Sequence, residues 1–124
     1  MNALFLVIGA IFGFLGVALG AFGAHGLSSY FAQYPDLQGT YQTAVQYHMY
    51  HALALLAVAW AADKWGSPWP HWAGYLFIAG ILIFSGSLYV LVFTNLRWLG
   101  AITPIGGVAF LAGWVCLAMA GWRG

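Results

Sequence analysis

The chain has 124 residues, only five of them charged (Asp36, Asp63, Lys64, Arg97 and Arg123), with 64% hydrophobic residues and a mean hydropathy of +0.89. A water-soluble domain is about one quarter charged, so 4% charge excludes an ordinary soluble globule and leaves lipid as the medium over most of the surface. A net charge of +1 without any Lys/Arg cluster excludes a nucleic-acid footprint and gives no sign of a site for anionic headgroups.

Four apolar stretches, at about 3–24, 43–62, 72–93 and 99–122, each approach the roughly 20 residues that cross a bilayer. Every charge falls between them or in the C-terminal tail, as the cost of a charge in hydrocarbon demands. The first stretch has no Lys or Arg before it and is longer than the apolar core of a signal peptide. Ala21-Phe22-Gly23 makes only a weak cleavage site, so a retained helix is expected. Its glycines at 9, 13, 16, 20 and 23 alternate spacings of four and three, which keeps Gly9, Gly13, Gly16, Gly20 and Gly23 on one helix face. Such a face admits a close neighbour, in the same chain or in another copy.

The connection at 26–42 is the longest. Its Ser28-Ser29-Tyr30-Phe31 segment, ended by Pro35-Asp36, fits a short serine-capped interfacial helix or a plain loop equally well. In the second stretch Thr43, Gln46, Tyr47, Tyr50 and His51 fall on an arc of roughly 140°, with His48 about 60° beyond His51. Exposed to lipid, that arc would leave polar groups unpaired, so it is expected to face the bundle interior or a wet cavity. Pro68 and Pro70 break any helix through the connection at 63–71, where Trp60, Trp65, Trp69 and Trp72 form an interfacial belt and His71 reads as a surface residue. The third stretch carries Ser85, Ser87 and Tyr89. Thr94 and Arg97 follow in the short connection, and Trp98 and Trp122 bracket the fourth stretch. That stretch opens on Thr103-Pro104, where proline is tolerated in a first helical turn, and repeats the small face with Gly106, Ala109, Gly113, Cys116 and Ala120. The lone Cys116 reads as a small core residue.

In an antiparallel chain of four spans, the end of the first, the start of the second, the end of the third and the start of the fourth meet at one membrane face. Nearly all the unusual polar residues lie in that half: His25, Thr43, Gln46, Tyr47, His48, Tyr50, His51, Ser85, Ser87, Tyr89 and Thr103. Four readings of this cluster stand side by side. Histidines at i and i+3 can converge on a metal, though no Asp or Glu lies near to complete or orient the site. A haem needs axial ligands, and the third and fourth spans contain no histidine. A polar cavity for a proton, a small solute, or a lipid or quinone headgroup is the third. Hydrogen bonding between helices is the fourth. No nucleophile–base pair, phosphate loop or carboxylate pair is present, and Gly20-x-x-Gly23-x-x-Gly26 lacks the strand context of a dinucleotide site.

Leu19-Gly-Ala-Phe-Gly-Ala-His25-Gly26 and Thr43-Ala-Val-Gln-Tyr47-His48-Met-Tyr50-His51-Ala-Leu resemble the signature of domain-of-unknown-function family 423. Phe84-Ser-Gly-Ser-Leu-Tyr89 and Ile102-Thr-Pro-Ile-Gly-Gly107 are similar to its third and fourth motifs, so the resemblance covers essentially the whole chain. It implies a small inner-membrane protein of four spanning helices, with no activity, substrate or cofactor to carry over. Relatives can carry Gln in place of His48, whereas the histidine at position 51 recurs, which weakens a metal site needing both. The first connection is less charged than is usual in the family.

The sequence is therefore read as all-α, a polytopic membrane protein built as an antiparallel bundle of four transmembrane helices forming one domain over 1–124. The positive-inside rule sets Lys64 and Arg123 against Arg97 and favours cytoplasmic termini, and the resemblance implies a bacterial inner membrane. The expected function is a non-enzymatic membrane protein of unknown role whose polar half-cavity binds a small ligand or lipid, or only stabilises the bundle. The alternatives are an accessory or scaffold subunit packing through the first glycine stripe, and a small transporter or channel acting as a homo-oligomer. The expected partner is the lipid bilayer, with a homo-oligomer or larger membrane complex as a further candidate. No nucleic acid, cofactor or metal is expected.

Overall fold

The computed structural model describes residues 3–124, and among these it is helical with no strand. Helix α1 spans Ala3–His25, α2 Ser28–Gln33 and α3 Pro35–Lys64. A third rod is α4, Trp69–Gly80, continued by a π-helical turn at Ile81–Ser85 and by α5, Gly86–Thr94. A 3₁₀ turn at Arg97–Ala101 leads into α6, Thr103–Arg123. Three stretches, Ala3–His25, Trp69–Thr94 and Arg97–Arg123, are long and apolar enough to cross a membrane. The 30 residues of α3 are long enough, but its first half carries glutamine, tyrosine and histidine in place of an apolar run.

The glycine stripe of α1 is spent inside the chain. A methyl group added at Gly9 would lie 3.0 Å from the Leu55 Cβ, one at Gly16 3.0 Å from the Met49 Cε, and one at Gly20 3.4 Å from Val45. At Gly23 it would overlap the Tyr41 ring, whereas Gly13 faces open space. These pairs ascend one helix as they descend the other, so α1 and α3 run antiparallel in contact along nearly all of α1. The small face of α6 seats the third rod in the same way. Gly113 lies under the Phe77 ring, Gly106 under the backbone of Phe84, and Gly80 of the third rod under Phe110. The order of packing is thus α1 against α3, α3 against the third rod, and the third rod against α6.

Two apolar clusters form. Phe5, Leu55, Val58, Phe77, Ile81 and Phe110 fill one half, and Leu27, Phe31, Leu37, Tyr41, Leu91, Val92 and Leu99 fill the other. The long first connection resolves into α2 and the first turns of α3, with Pro35 and Asp36 opening α3 eight residues before the expected start of the span. Leu27 precedes α2 without a side-chain cap, and the Ser28 hydroxyl instead donates to the His25 carbonyl. Asn95 turns the chain out of α5 in a left-handed conformation (φ 59°), which asparagine tolerates better than most residues.

Candidate functional site

Between the two apolar clusters lies a layer of buried polar groups, and its hydrogen bonds assign each histidine a tautomer. His48 and His51 are 3% and 4% exposed. His48 Nε2 lies 2.8 Å from the Phe12 carbonyl on α1, which can only accept, so Nε2 carries the proton. Nδ1 then accepts from the Tyr89 hydroxyl at 2.8 Å on α5. His51 takes the opposite form. Its Nδ1–H donates to the Tyr47 carbonyl at 2.7 Å, and Nε2 accepts from the Trp114 indole N–H at 3.0 Å. The His51 ring also stacks on Phe110, with centroids 3.6 Å apart and planes 8° off parallel. Each neutral ring has one lone pair to offer, and each lone pair is already engaged. Neither ring can therefore ligate a metal or haem iron without breaking a helix–helix contact.

The remaining buried groups are paired as closely. The Ser85 hydroxyl, in the π turn, donates to the Ala44 carbonyl at 2.8 Å. Ser87 and Thr103 share a bond at 2.7 Å that ties α5 to the start of α6. Tyr41 donates its hydroxyl to the Leu19 carbonyl, and Tyr30 of α2 donates to the Val92 carbonyl at 2.6 Å. The interior of the layer is thus hydrogen-bonded between helices.

The expected arc on α3 does not all point inward. The buried side of the helix runs through Leu37, Tyr41, Ala44, His48, His51 and Leu55, so the inward direction lies toward His48 and away from Gln46. Gln46 is exposed, Tyr50 is 54% exposed and Tyr47 39%, while Thr43 is half-buried. Tyr47 lies against Phe84, with ring centroids 4.8 Å apart. His25 is exposed at the end of α1, away from the two buried histidines. The physical reason is that α1 occupies one flank of α3 and the third rod the other, leaving the strip through Gln42, Gln46 and Tyr50 uncovered.

Beside that strip a groove of about 430 Å³ opens between α1, α2 and α3. Its walls are Gly20, Gly23 and Ala24 on one side, Phe31 at the α2 end, and Gln38, Tyr41, Gln42, Val45 and Gln46 on the other. Gln38, Gln42 and Gln46 recur every four residues and so line one side of α3. Among the described residues none of the three amides has a hydrogen-bond partner. Gln38, Gln42 and Tyr41 were missed because hydropathy set the start of the span at Thr43. Proline and aspartate in the first turn of α3 were the signal that the helix began earlier. Trp114 and Phe110, which hold His51, carried no local signal, being about sixty residues away in sequence.

Outside the membrane-facing surface, Arg97 and Asp36 form an ion pair at 2.7 Å that joins the 3₁₀ turn to the start of α3. The guanidinium holds the Asp36 carboxyl below its ordinary range, chiefly through the hydrogen bond between them. Arg97 also donates from Nε to Asn95 Oδ1 at 2.6 Å.

The family described as protein of unknown function (DUF423) matches residues 19–107. The UPF0382 membrane protein YwdK of Bacillus subtilis is 53% identical over 119 residues, covering 94% of each chain. A UPF0382 membrane protein of Staphylococcus aureus, SAB0533, is 45% identical over 117 residues, covering 94% of this chain and 93% of the relative. The UPF0382 inner membrane protein YgdD of Escherichia coli is 44% identical over 112 residues, covering 90% of this chain and 84% of the relative. No solved structure matches.

Proposed function

The chain belongs to the DUF423 family of membrane proteins of unknown function, and from that premise we propose a non-enzymatic integral membrane protein that holds a small ligand or lipid headgroup in the amide-lined groove. The carrying observation is the contrast between the two polar sets on α3. His48 and His51 are fully engaged in holding helices together, whereas Gln38, Gln42 and Gln46 line a groove of about 430 Å³ without partners. Ligand sites commonly enclose about 300–1,000 Å³. Gln46, the deepest of the three, lies about one turn inside the level set by Thr43, where an amide without a hydrogen bond costs about 2–7 kcal/mol, so an occupant with hydroxyl or carbonyl groups is favoured there.

The reading takes α3 as a fourth span within a single four-helix domain. Its support is the antiparallel contact with α1 from Gly9–Leu55 to Gly23–Tyr41: a helix that accompanies a spanning partner along its length crosses with it. Flanking rods supply the hydrogen-bond partners that make the polar half tolerable in hydrocarbon. Lys64 and Arg123 then share one face, where Trp65 lies 3.6 Å from the place a methyl on Gly124 would take, and Arg97 lies on the other. The charge rule favours Lys64 and Arg123, with both termini, on the cytoplasmic side of an inner membrane such as the name of YgdD states for that relative.

A scaffold role through the α1 stripe has less support, since four of its five glycines already pack on α3. The test is mass analysis of small molecules retained by wild-type protein and by Gln46→Leu, each purified in mild detergent from its own membrane. The proposal expects a molecule present in stoichiometric amount on the wild type and depleted on the variant. Equal retention by both, or none by either, contradicts it.

A further inference from the structure

We infer that the groove between α1, α2 and α3 selects an uncharged amphiphile bearing hydroxyl or ester groups, such as a diacylglycerol, over an anionic phospholipid; the inference rests on the headgroup-binding reading above. Its first ground is the chemistry of the walls. No charged side chain lines the groove, and Tyr41, its only phenol, is committed to the Leu19 carbonyl. The three remaining polar side chains are primary amides, each offering two N–H donors and one carbonyl acceptor. That set matches hydroxyls, which donate and accept, and ester carbonyls, which accept. A phosphate there would meet no cation to neutralise it. Arg97, the nearest arginine in the fold to the start of α3, is already paired with Asp36.

The second ground is shape. From Gln38 to Gln46 the amides descend about 12 Å along α3, at 1.5 Å per residue. On the α1 side Gly20 and Ala24 border the groove with little side chain, Gly23 being covered by the Tyr41 ring, and Val45 and Phe31 complete the apolar surface. A polar ladder of this length beside an apolar wall fits a molecule with two or three oxygens at one end and chains that continue into the bilayer. A compact polar solute would leave the deeper amide unpaired.

The test uses the whole protein in one detergent. Wild type and Gln42→Leu/Gln46→Leu are titrated with dioleoylglycerol and, separately, with dioleoyl phosphatidylglycerol, and bound lipid and subunit number are read by native mass spectrometry. Leucine suits a lipid-facing helix, and Gln46→Leu alone replaces the double variant should that not fold. The inference expects wild type to retain dioleoylglycerol about tenfold more strongly than phosphatidylglycerol, and the variant to lose that retention about tenfold, an effect of about 1.4 kcal/mol. Preference for phosphatidylglycerol, abolished in the variant, overturns the uncharged class and leaves headgroup binding standing. Retention of neither lipid overturns the inference and restricts the reading above to a small solute, and equal retention in wild type and variant overturns both. A wild-type dimer that the variant converts to a monomer also overturns both, because the amides would then belong to a contact with a second copy.

Discussion

At the scale of single residues, the two buried histidines show how a polar group is made acceptable inside a membrane bundle. His48 bridges α1 and α5, and His51 bridges α3 and α6, each as a neutral ring with one nitrogen donating and the other accepting. Hydrogen bonds of this type average about 0.6 kcal/mol in membrane proteins. His48→Ala removes two of them and is expected to cost about 1 kcal/mol. His51→Ala removes two more and the stacked contact with Phe110, for about 2 kcal/mol in all. Thermal unfolding in one detergent should therefore rank wild type above His48→Ala above His51→Ala. An unchanged melting temperature for His51→Ala would remove the structural role assigned to it. The sequence marks both histidines as needing partners, because unpaired imidazoles are costly in lipid. It does not mark which partners, since Phe12, Tyr89 and Trp114 reach them only through the packing of whole helices.

The element scale is governed by where glycine lets backbones meet. The third rod bends its pattern through a π turn at Ile81–Ser85, which sets Ser85 toward α3 while the Phe84 backbone sits against Gly106 of α6. A Cβ on Gly106 would overlap backbone atoms, which cannot swing aside as a side-chain tip can. Gly106→Ala should therefore lower the melting temperature markedly, by the 1–3 kcal/mol typical of overpacking, or about that. Its neighbour Gly107 has ordinary contacts of 3.9 Å, and Gly107→Ala should be close to neutral. Gly13→Ala, facing open space, is expected to hold or raise stability by about 0.5–1 kcal/mol through helix propensity. Equal effects at 106 and 107 would contradict this packing. Both small-residue stripes were legible from spacing alone, because three-and-four periodicity defines a helix face. The π turn was not, as no residue pattern in Ile81-Leu-Ile-Phe-Ser85 distinguishes it from a continuing α-helix. The start of α3 was misplaced for a related reason: hydropathy marks where water ends, and a helix can begin well outside that level.

For the whole molecule, a membrane setting follows from a composition with almost nothing to face water, the described residues are helical, and the relatives are named membrane proteins. The Asp36–Arg97 pair closes one end of the bundle by joining the start of α3 to the turn before α6. Because the folded protein holds the Asp36 carboxyl below its unfolded range, the pair stabilises above the ordinary carboxylate range and the contribution is lost as pH falls through the lowered value. Both side chains are more than half exposed, so the effect is small. Asp36→Asn should lower the melting temperature slightly at neutral pH and leave it unchanged in acid; a difference that persists in acid would assign the effect to something other than this ion pair. The crossing proposed for α3 is checked by labelling single cysteines at Ser29, before α3, and Gly66, after it, in a Cys116→Ser background from outside intact cells. Label at position 29 alone agrees with opposite faces and cytoplasmic termini, and label at both positions, or at neither, contradicts the fourth span.

The central claim is a division of labour on α3, with inward histidines holding the bundle and outward amides holding a ligand. Native mass spectrometry of His48→Ala and Gln46→Leu, purified side by side from their own membranes, measures it most directly as bound small molecule per folded chain. The account predicts that His48→Ala keeps the wild-type occupancy on whatever fraction stays folded, while Gln46→Leu folds fully and arrives empty. An empty His48→Ala beside a fully occupied Gln46→Leu would contradict it and move the site from the groove to the buried histidine layer.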